Sequence, residues 1–206
     1  MIKTLIFDFG DVFINLKKDA TLIELQKLGI TTFTEEMFQI NIQYEIGKIN
    51  TDTFLASYLE IFPEHNSEQL SMAWNAIILD FPENRLKFIE ALSESKKFNL
   101  ILLSNTNVLH IEKVIENMSL ERYNRFKNCF DAFYLSQEIN FRKPNSDIYN
   151  FVLGRHNLIP NECLFIDDTH ENTEKANILG IHTWNLNPKT EDIIDLFSIK
   201  KELFYF

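Results

Sequence analysis

The stretch KTLIFDFGDV, residues 3–12, decides the fold, because a short apolar run here delivers one carboxylate, that of Asp8, to its end. Residues 4–7 are β-branched or large and apolar and lack helical spacing, which favours a strand buried on both faces of a parallel sheet. Asp8 then lies at the carboxyl end of this strand, where open α/β sheets bind ligands, and Gly10 permits a tight turn and a close approach of backbone to ligand. A buried strand followed by an ordinary acidic turn fits the same residues, so the rest of the chain has to decide.

From residue 82 onward, the pattern alternates between strands and helices. Strands are predicted at 98–104, 131–135, 163–167 and 181–185, and helices at 83–95, 108–118, 146–156, 172–179 and 190–197. Such alternation is typical of βαβ units, so we predict an α/β fold with a doubly wound parallel sheet.

Between the first strand and residue 82, the pattern is helical throughout. Helices are predicted at 21–28, 34–46, 50–62 and 67–79, and no segment there has the pattern of a strand. We therefore expect an α-helical cap at 16–81, inserted into a core made of residues 1–15 and 82–206.

Composition restricts the possible partners. The 206 residues carry a net charge of −10, which argues against binding nucleic acid or an anionic membrane surface. Cys129 and Cys163 stand beside apolar residues and are expected to be buried thiols in a reducing compartment. The chain shows no leader and no apolar run of membrane-spanning length, so we expect a cytoplasmic protein, a monomer or weak homodimer. Its apolar end, residues 203–206, is expected to dock on the body.

Two further loops carry groups that suit a phosphoryl group. Ser104 and Asn105 end a predicted strand, where a hydroxyl and backbone N–H groups can hold an anion, although a plain helix N-cap fits them as well. Arg142 and Lys143 stand directly before Pro144, which restricts the backbone. Lys143 is therefore predicted to be a positioned ammonium that neutralises a carboxylate and a phosphate, and a solvated Arg-Lys pair is the alternative.

Two adjacent acids, Asp167 and Asp168, follow the predicted strand at 163–167. Carboxylates at the end of a buried strand are costly unless a positive group lies between them and Asp8, and a hard cation with oxygen ligands fits that place. Helix capping by Asp168 explains one acid but not both. The pair therefore predicts a metal site.

Taken in order, four stretches resemble the motifs of the haloacid dehalogenase-like (HAD) hydrolase superfamily. They are DFGDV at 8–12, Ser104-Asn105, Arg142-Lys143-Pro144 and Asp167-Asp168. The segment YEIGKI at 44–49 and the stretch AWNA at 73–76, which leads to Pro82 and Arg85, are similar to the sugar-phosphate phosphatase-like branch with a small α-helical cap. The resemblance covers the whole chain and implies a HAD-like Rossmannoid core.

The resemblance also implies roles in catalysis and substrate binding. Asp8 would be the nucleophile that forms an aspartyl-phosphate, and Lys143 would bridge Asp8 and the phosphate. Ser104 and Asn105 would contact the phosphoryl group, and Arg142 is expected to bind substrate.

A magnesium ion is implied as the cofactor. Asp8, the backbone carbonyl of Gly10 and Asp168 would hold it, with Asp167 either in direct contact or one layer further out.

Gly10 departs from the resemblance. The phosphatases of the superfamily usually carry a second Asp two residues after the nucleophile as general acid/base, and this chain has Gly10 there. Loss of such a group typically costs roughly 10²–10⁴-fold in rate. Either Asp11 or a water is expected to substitute, or turnover is slow.

The expected function is a Mg²⁺-dependent phosphatase of a small phosphorylated metabolite, with sugar phosphates first. One alternative is a weakly active or non-catalytic protein that binds phosphorylated ligands, which Gly10 would explain. The other is a 2-haloacid dehalogenase-like hydrolase, whose chemistry needs no metal and so leaves the Asp167-Asp168 pair without a purpose.

Overall fold

Five short parallel strands form one sheet in the order β3-β2-β1-β4-β5. The computed structural model describes residues 1–204, so Tyr205 and Phe206 of the expected docking end lie outside the described residues. The strands are β1 (Thr4–Phe7), β2 (Asn99–Ser104), β3 (Ala132–Leu135), β4 (Cys163–Asp167) and β5 (His182–Asn185). The predicted doubly wound parallel sheet is confirmed.

Strand β1 lies at the centre of the sheet, with Phe7 opposite Leu102 of β2 and Ile166 of β4. The chain winds outward from β1 in both directions, so the carboxyl ends of β1, β2 and β4 are neighbours. A sheet with this order binds ligands at that edge, which is where the residues following the three strands come together.

The inserted segment forms four helices with an apolar cluster of their own. They are α1 (Ala20–Lys27), α2 (Glu35–Glu45), α3 (Thr51–Ile61) and α4 (Ser67–Asn75). The rings of Tyr44 and Phe54 stack at 4.2 Å in this cluster. The chain enters and leaves the insertion side by side, because Asn15 N donates to Asp80 O, 2.9 Å, and Lys17 N to Ile77 O, 2.9 Å. The exact limits of a cap at 16–81 stay a prediction.

The remaining helices cover both faces of the sheet. They are α5 (Glu83–Ser95), α6 (Val108–Met118), α7 (Leu120–Lys127), α8 (Ser136–Ile139), α9 (Ser146–Arg155), α10 (His170–Ile178) and α11 (Leu196–Ile199). Neighbouring residues of β1 point to opposite sides: Phe7 belongs to one apolar cluster with Phe126, and Ile6 belongs to the other with Tyr149. Burial on both faces explains why the strand sequence is a continuous apolar run.

Two predicted helices differ from the structure. The helix expected at 67–79 ends at Asn75, because the backbone of the following residues pairs with the entering segment, including a bridge between Leu16 and Ile78. The helix expected at 190–197 is a 3₁₀ turn (Ile193–Asp195) followed by α11. There the Asp192 side chain accepts from Ile194 N and starts the turn later than the apolar spacing indicates.

Two helices, α7 and α8, were not predicted. Ser119 separates α6 from α7 with a left-handed φ of 75°, and its side chain caps α7 by accepting from Arg122 N. Helix α8 has only 4 residues, too short for a periodic pattern.

Phe204 of the apolar end and both cysteines are buried, as the sequence predicts. Phe204 is buried, and its ring packs against Phe197 at 4.8 Å and Phe98 at 5.5 Å. Cys129 and Cys163 are buried free thiols. Among residues 1–204, no helix has the length and apolar character needed to cross a membrane.

Candidate active site

Asp8 and Lys143 form an ion pair at the carboxyl end of β1. The backbone N–H of Asp8 donates to Ile166 O at 2.8 Å, which holds this residue beside β4. Lys143 is fully buried, and its Nζ lies 2.8 Å from Asp8 Oδ1 and 2.7 Å from Asp167 Oδ2. A buried ammonium is strongly destabilising without such partners, so the two carboxylates fix the position of the lysine.

The protonation of this pair follows from burial and charge. Burial raises the pKa of Asp8 to about 7; the Lys143 ammonium opposes the rise, and Asp167 and Asp168 add to it. Burial acts to lower the pKa of Lys143, but Asp167 and Asp8 outweigh it, so this pKa lies above its ordinary value. Lys143 is therefore the fixed positive charge of the site.

Asp167 is fully buried, and three donor groups satisfy its carboxylate. Thr169 N donates to Oδ1 at 2.8 Å, and Asn172 Nδ2 contacts Oδ1 and Oδ2 at 3.1 and 3.0 Å. Lys143 Nζ is the third donor, to Oδ2. With both oxygens occupied, Asp167 orients Lys143 and has little capacity left for another ligand.

Asp168 lies beside it with a different environment. Its side chain is only 5% exposed, and its Oδ2 accepts a short hydrogen bond from Lys18 Nζ. The Lys18 ammonium also lies 3.4 Å from Asp11 Oδ2. Burial raises the pKa of Asp168, and Lys18 partly offsets this rise.

The three acids fit a divalent cation. Asp8, Asp167 and Asp168 each offer a carboxylate oxygen, and these oxygens lie within 4.8 Å of one another. Clustered hard oxygen donors are what Mg²⁺ requires. Because Asp167 is already saturated by hydrogen bonds, Asp8 and Asp168 are the carboxylates best able to ligate it directly.

In the turn after Asp8, the residue with a left-handed φ is Asp11, with φ 53°, and not Gly10. A Cβ on Gly10 would lie 2.7 Å from Leu16 Cδ1, the end of a flexible side chain. Glycine at position 10 therefore lets the Leu16 side chain approach the backbone closely, and it is not needed for a special backbone angle. Asp11 Oδ1 accepts from Leu16 N at 2.9 Å, which closes the turn.

Ser104 and Asn105 follow β2 at the same edge. Ser104 is buried, whereas the Asn105 side chain pairs with the backbone of Lys143 in both directions: Nδ2 donates to Lys143 O, and Oδ1 accepts from Lys143 N, each at 2.9 Å. This double contact brings the two predicted loops together. It also occupies the side-chain amide of Asn105, and a contact of Asn105 with a phosphoryl group stays a prediction.

Arg142 contacts the inserted helices. Its Nε donates to Glu45 Oε1 at 2.6 Å, where Glu45 is the last residue of α2. Two core side chains hold the same segment by donating to its carbonyl groups: Ser136 Oγ to Glu45 O and Asn140 Nδ2 to Ile46 O, both at 2.7 Å.

A cleft of about 350 Å³ lies between the sheet edge and the inserted helices. Gly10, Ser104 and Asn105 line its floor, and Glu45 and Trp74 are among the residues of the opposite wall. His110 joins the two sides, since its Nε2 lies 3.2 Å from Trp74 O. Burial lowers the pKa of His110 to about 4, so this histidine is neutral near pH 7.

Three residues of the site were not predicted: Lys18, Glu45 and Asn172. Asn172 stands four residues after Asp168. Its role in orienting the Asp167 carboxylate is seen only from its hydrogen bonds to both Asp167 oxygens. Lys18 looks like an ordinary surface charge in the sequence, and no local pattern distinguishes it. Glu45 lies in the YEIGKI segment at 44–49, but the resemblance of that segment assigns no role to its side chain.

The family model for haloacid dehalogenase-like hydrolases matches residues 2–177. The D-ribitol-5-phosphate phosphatase of Bacteroides thetaiotaomicron is 28% identical over 190 residues, which is 89% of this chain and 91% of that protein. A HAD family enzyme of the same organism, solved in complex with magnesium and inorganic phosphate, has a TM-score of 0.82 and 32% identity over 96% of this chain and 100% of that one. A dehalogenase structure is similar in fold alone, with a TM-score of 0.63 and 14% identity over 96% of each chain.

Proposed function

Since the chain belongs to the haloacid dehalogenase-like hydrolase family, we propose that it is a Mg²⁺-dependent phosphatase of a small phosphorylated metabolite. The substrate class is a sugar phosphate or sugar alcohol phosphate. The similarity to a D-ribitol-5-phosphate phosphatase, and to an enzyme solved with magnesium and phosphate, supports this choice.

The observation that carries the proposal is the buried Lys143 between Asp8 and Asp167. The ammonium lies within 2.8 Å of both carboxylates, so an incoming phosphoryl group would meet a fixed positive charge next to the nucleophile. Fixed charges in a site that excludes water stabilise the developing charge of the transition state.

Asp8 is the nucleophile in this mechanism. A carboxylate oxygen of Asp8 attacks phosphorus in line, and the bond from phosphorus to the leaving oxygen breaks as the new P–O bond forms. The leaving alkoxide takes up a proton. Water then attacks the phosphorus of the aspartyl-phosphate and gives up a proton, which releases inorganic phosphate and restores the Asp8 carboxylate.

The other residues hold the reacting groups in place. Lys143 neutralises Asp8 and the phosphoryl oxygens, while Asp167, held by Asn172, orients Lys143. The backbone N–H of Asn105 and the Ser104 hydroxyl bind phosphoryl oxygens. Asp8, Asp168 and the Gly10 carbonyl would hold Mg²⁺, which supplies positive charge to the phosphoryl group and screens the acids.

Gly10 leaves no side chain to protonate the leaving oxygen. Asp11 is the nearest carboxylate in sequence, but its Oδ1 closes the turn and its Oδ2 faces Lys18. An acid/base role for Asp11 stays a prediction. We propose that water protonates the leaving oxygen, which favours substrates whose leaving oxygen is a weak base.

Two alternatives share the fold. A dehalogenase would need no metal, so Asp168, which contacts neither Asp8 nor Lys143, would then add repulsion to the acid cluster without benefit. The second alternative is a protein that binds phosphorylated ligands without turnover. Only Gly10 favours it, and such a protein would keep all the other contacts of the site.

A substrate panel separates these functions. Phosphate release from sugar phosphates, sugar alcohol phosphates and acyl phosphates should be detected with Mg²⁺ and lost in chelator. Halide release from 2-haloacids without metal would favour the dehalogenase. An inactive panel in which the phosphate esters still raise the melting temperature would favour the binding protein.

We also propose that the protein works in the cytoplasm as a monomer or weak homodimer. The two buried free thiols suit a reducing compartment. Sedimentation equilibrium tests the oligomeric state, and the 24.3 kDa chain should behave as a monomer at micromolar concentration.

A further inference from the structure

The three cations at or near the cleft, Lys143, Lys18 and Arg142, are all paired with acids. Lys143 lies between Asp8 and Asp167, and Lys18 contacts Asp168 and Asp11. The third cation, Arg142, lines the cleft and pairs with Glu45 of α2, whereas Lys143 is fully buried. Among residues 1–204, Arg142 is the only lysine or arginine that lines the 350 Å³ cleft, and Lys18 is the only one that lines the adjoining 280 Å³ cavity.

The Arg142–Glu45 pair is held in place from both sides. Each side chain is 27% exposed, and Nε and Oε1 are 2.6 Å apart. The backbone of Glu45 is fixed to the core by Ser136, and that of Ile46 by Asn140. The pair is therefore not an opportunistic surface contact between two mobile side chains, because the backbone beneath Glu45 is tied to the loops of the site.

The rest of the wall opposite the sheet edge is uncharged. Phe38, Ile42, Trp74 and Ile77 give it apolar surface, and Asn41 gives it an amide. A hydroxylated carbon chain can pack on such a wall and hydrogen-bond to Asn41 or Glu45. A carboxylate or second phosphate would lose water there without gaining an unpaired cation, which is unfavourable.

We infer that Glu45 determines substrate specificity: by neutralising Arg142, it makes the cleft accept phosphate esters of uncharged alcohols and discriminate against esters that carry a second anionic group. This inference rests on the proposed phosphatase function and specifies its substrate class. Arg142 would thereby serve to hold Glu45 rather than to bind a phosphate of its own.

Two substrates made from ribose 5-phosphate provide the test. Reduction at C1 gives the alcohol ester and oxidation at C1 gives the carboxylate ester, so the pair differs at the end remote from the phosphate. Wild type should hydrolyse the alcohol ester with the higher kcat/KM. In Glu45→Gln, the ratio of kcat/KM for the acid to that for the alcohol should rise roughly tenfold, the effect of one charged hydrogen bond.

Arg142→Gln should shift the ratio in the opposite direction, because it leaves the Glu45 carboxylate unpaired. Glu36→Gln is the matched control, since it removes the same charge from an exposed position of α2 and should leave the ratio unchanged. A ratio in Glu45→Gln equal to that of wild type would overturn the inference, as would a wild type with no preference.

The two failures are distinguishable. A wild type that releases phosphate from both esters at equal kcat/KM overturns the role of Glu45 and leaves the phosphatase standing. A wild type that releases phosphate from no ester with Mg²⁺ overturns the proposed function and, with it, this inference.

Discussion

At the scale of single residues, the charge on Asp8 is expected to cost stability in the metal-free protein. Its pKa is about 7 in the fold against an ordinary 3.8. Between these two values, the Asp8 carboxyl keeps its proton in the folded state and loses it in the unfolded chain. The stability that this proton contributes is complete below about pH 4 and is lost as the pH rises through 7.

Asp8→Asn should therefore be more stable than wild type at pH 8 in chelator, by on the order of 1–3 kcal/mol, and the two should converge toward pH 4. Denaturant unfolding across this pH range measures the difference. Asp19→Asn, at an exposed position with no side-chain capping bond, is the control. A constant difference between Asp8→Asn and wild type at every pH would contradict the assignment.

Asp11→Asn tests the proposed absence of a carboxylate acid/base. The amide oxygen can still accept from Leu16 N, so the turn should persist, and kcat should change less than roughly threefold if water protonates the leaving oxygen. A loss of roughly 10²-fold or more with unchanged Mg²⁺ affinity would instead show that Asp11 transfers the proton.

Asp168 and Lys18 should affect Mg²⁺ affinity in opposite directions. Asp168→Asn removes an anionic oxygen and should weaken binding by roughly tenfold or more. Lys18→Met removes the cation that holds Asp168 and should tighten binding by roughly two- to fivefold. Calorimetric titration measures both, with Lys17→Met as the control for net charge. Equal affinities in the Lys18 and Lys17 variants, or an unaffected Asp168→Asn, would refute the assignment.

Much of the site at this scale is predictable from the sequence, because parallel topology brings the ends of β1, β2 and β4 to one edge whatever the details. Asp8, Lys143 and Asp167 accordingly meet in the structure. The partners that neutralise or orient them are not predictable. Lys18 and Glu45 reach the site through the placement of the inserted helices, which no short pattern encodes.

At the scale of elements, the segment after α2 is fixed against α8 by a close backbone contact. Gly47 has φ 66°, and a Cβ there would lie 2.0 Å from Gln137 O. Gly47→Ala should destabilise the protein by roughly 1–3 kcal/mol or more, since both the backbone angle and the contact are unfavourable.

Gly154 provides the matched comparison for that substitution. It lies in α9 with no atom within 4 Å of a built Cβ, so Gly154→Ala should stabilise by about 0.4–1 kcal/mol. Urea unfolding of both variants measures the contrast. A Gly47→Ala protein as stable as Gly154→Ala would show that the segment is not held against α8.

The elements themselves are largely encoded by local patterns. Asn50 and Asn66 cap α3 and α4 by accepting from Thr53 N and Gln69 N, and asparagine is a favoured N-cap residue. The misplaced end of α4 has a non-local cause, the pairing of the chain at Ile78 with Leu16. Local periodicity cannot predict a termination imposed by a segment some sixty residues away.

At the scale of the whole molecule, the insertion gives the sheet edge its opposite wall. The entering and leaving segments pair at 15–17 and 77–80, so the four inserted helices stand over the carboxyl ends of the strands. His110 and Arg142 then link the core to Trp74 and Glu45 across the cleft. The architecture follows from the order of the elements, whereas the shape of the cleft depends on these tertiary contacts.

The assignment of Asp8 as the nucleophile of a Mg²⁺-dependent phosphatase can be measured as phosphate release by wild type and Asp8→Asn, each with Mg²⁺ and with chelator. Wild type with Mg²⁺ should release phosphate from a sugar or sugar alcohol phosphate, and chelator should abolish this release. Asp8→Asn should be folded and at least roughly a thousandfold slower. An Asp8→Asn protein that releases phosphate at the wild-type rate would show that Asp8 is not the nucleophile.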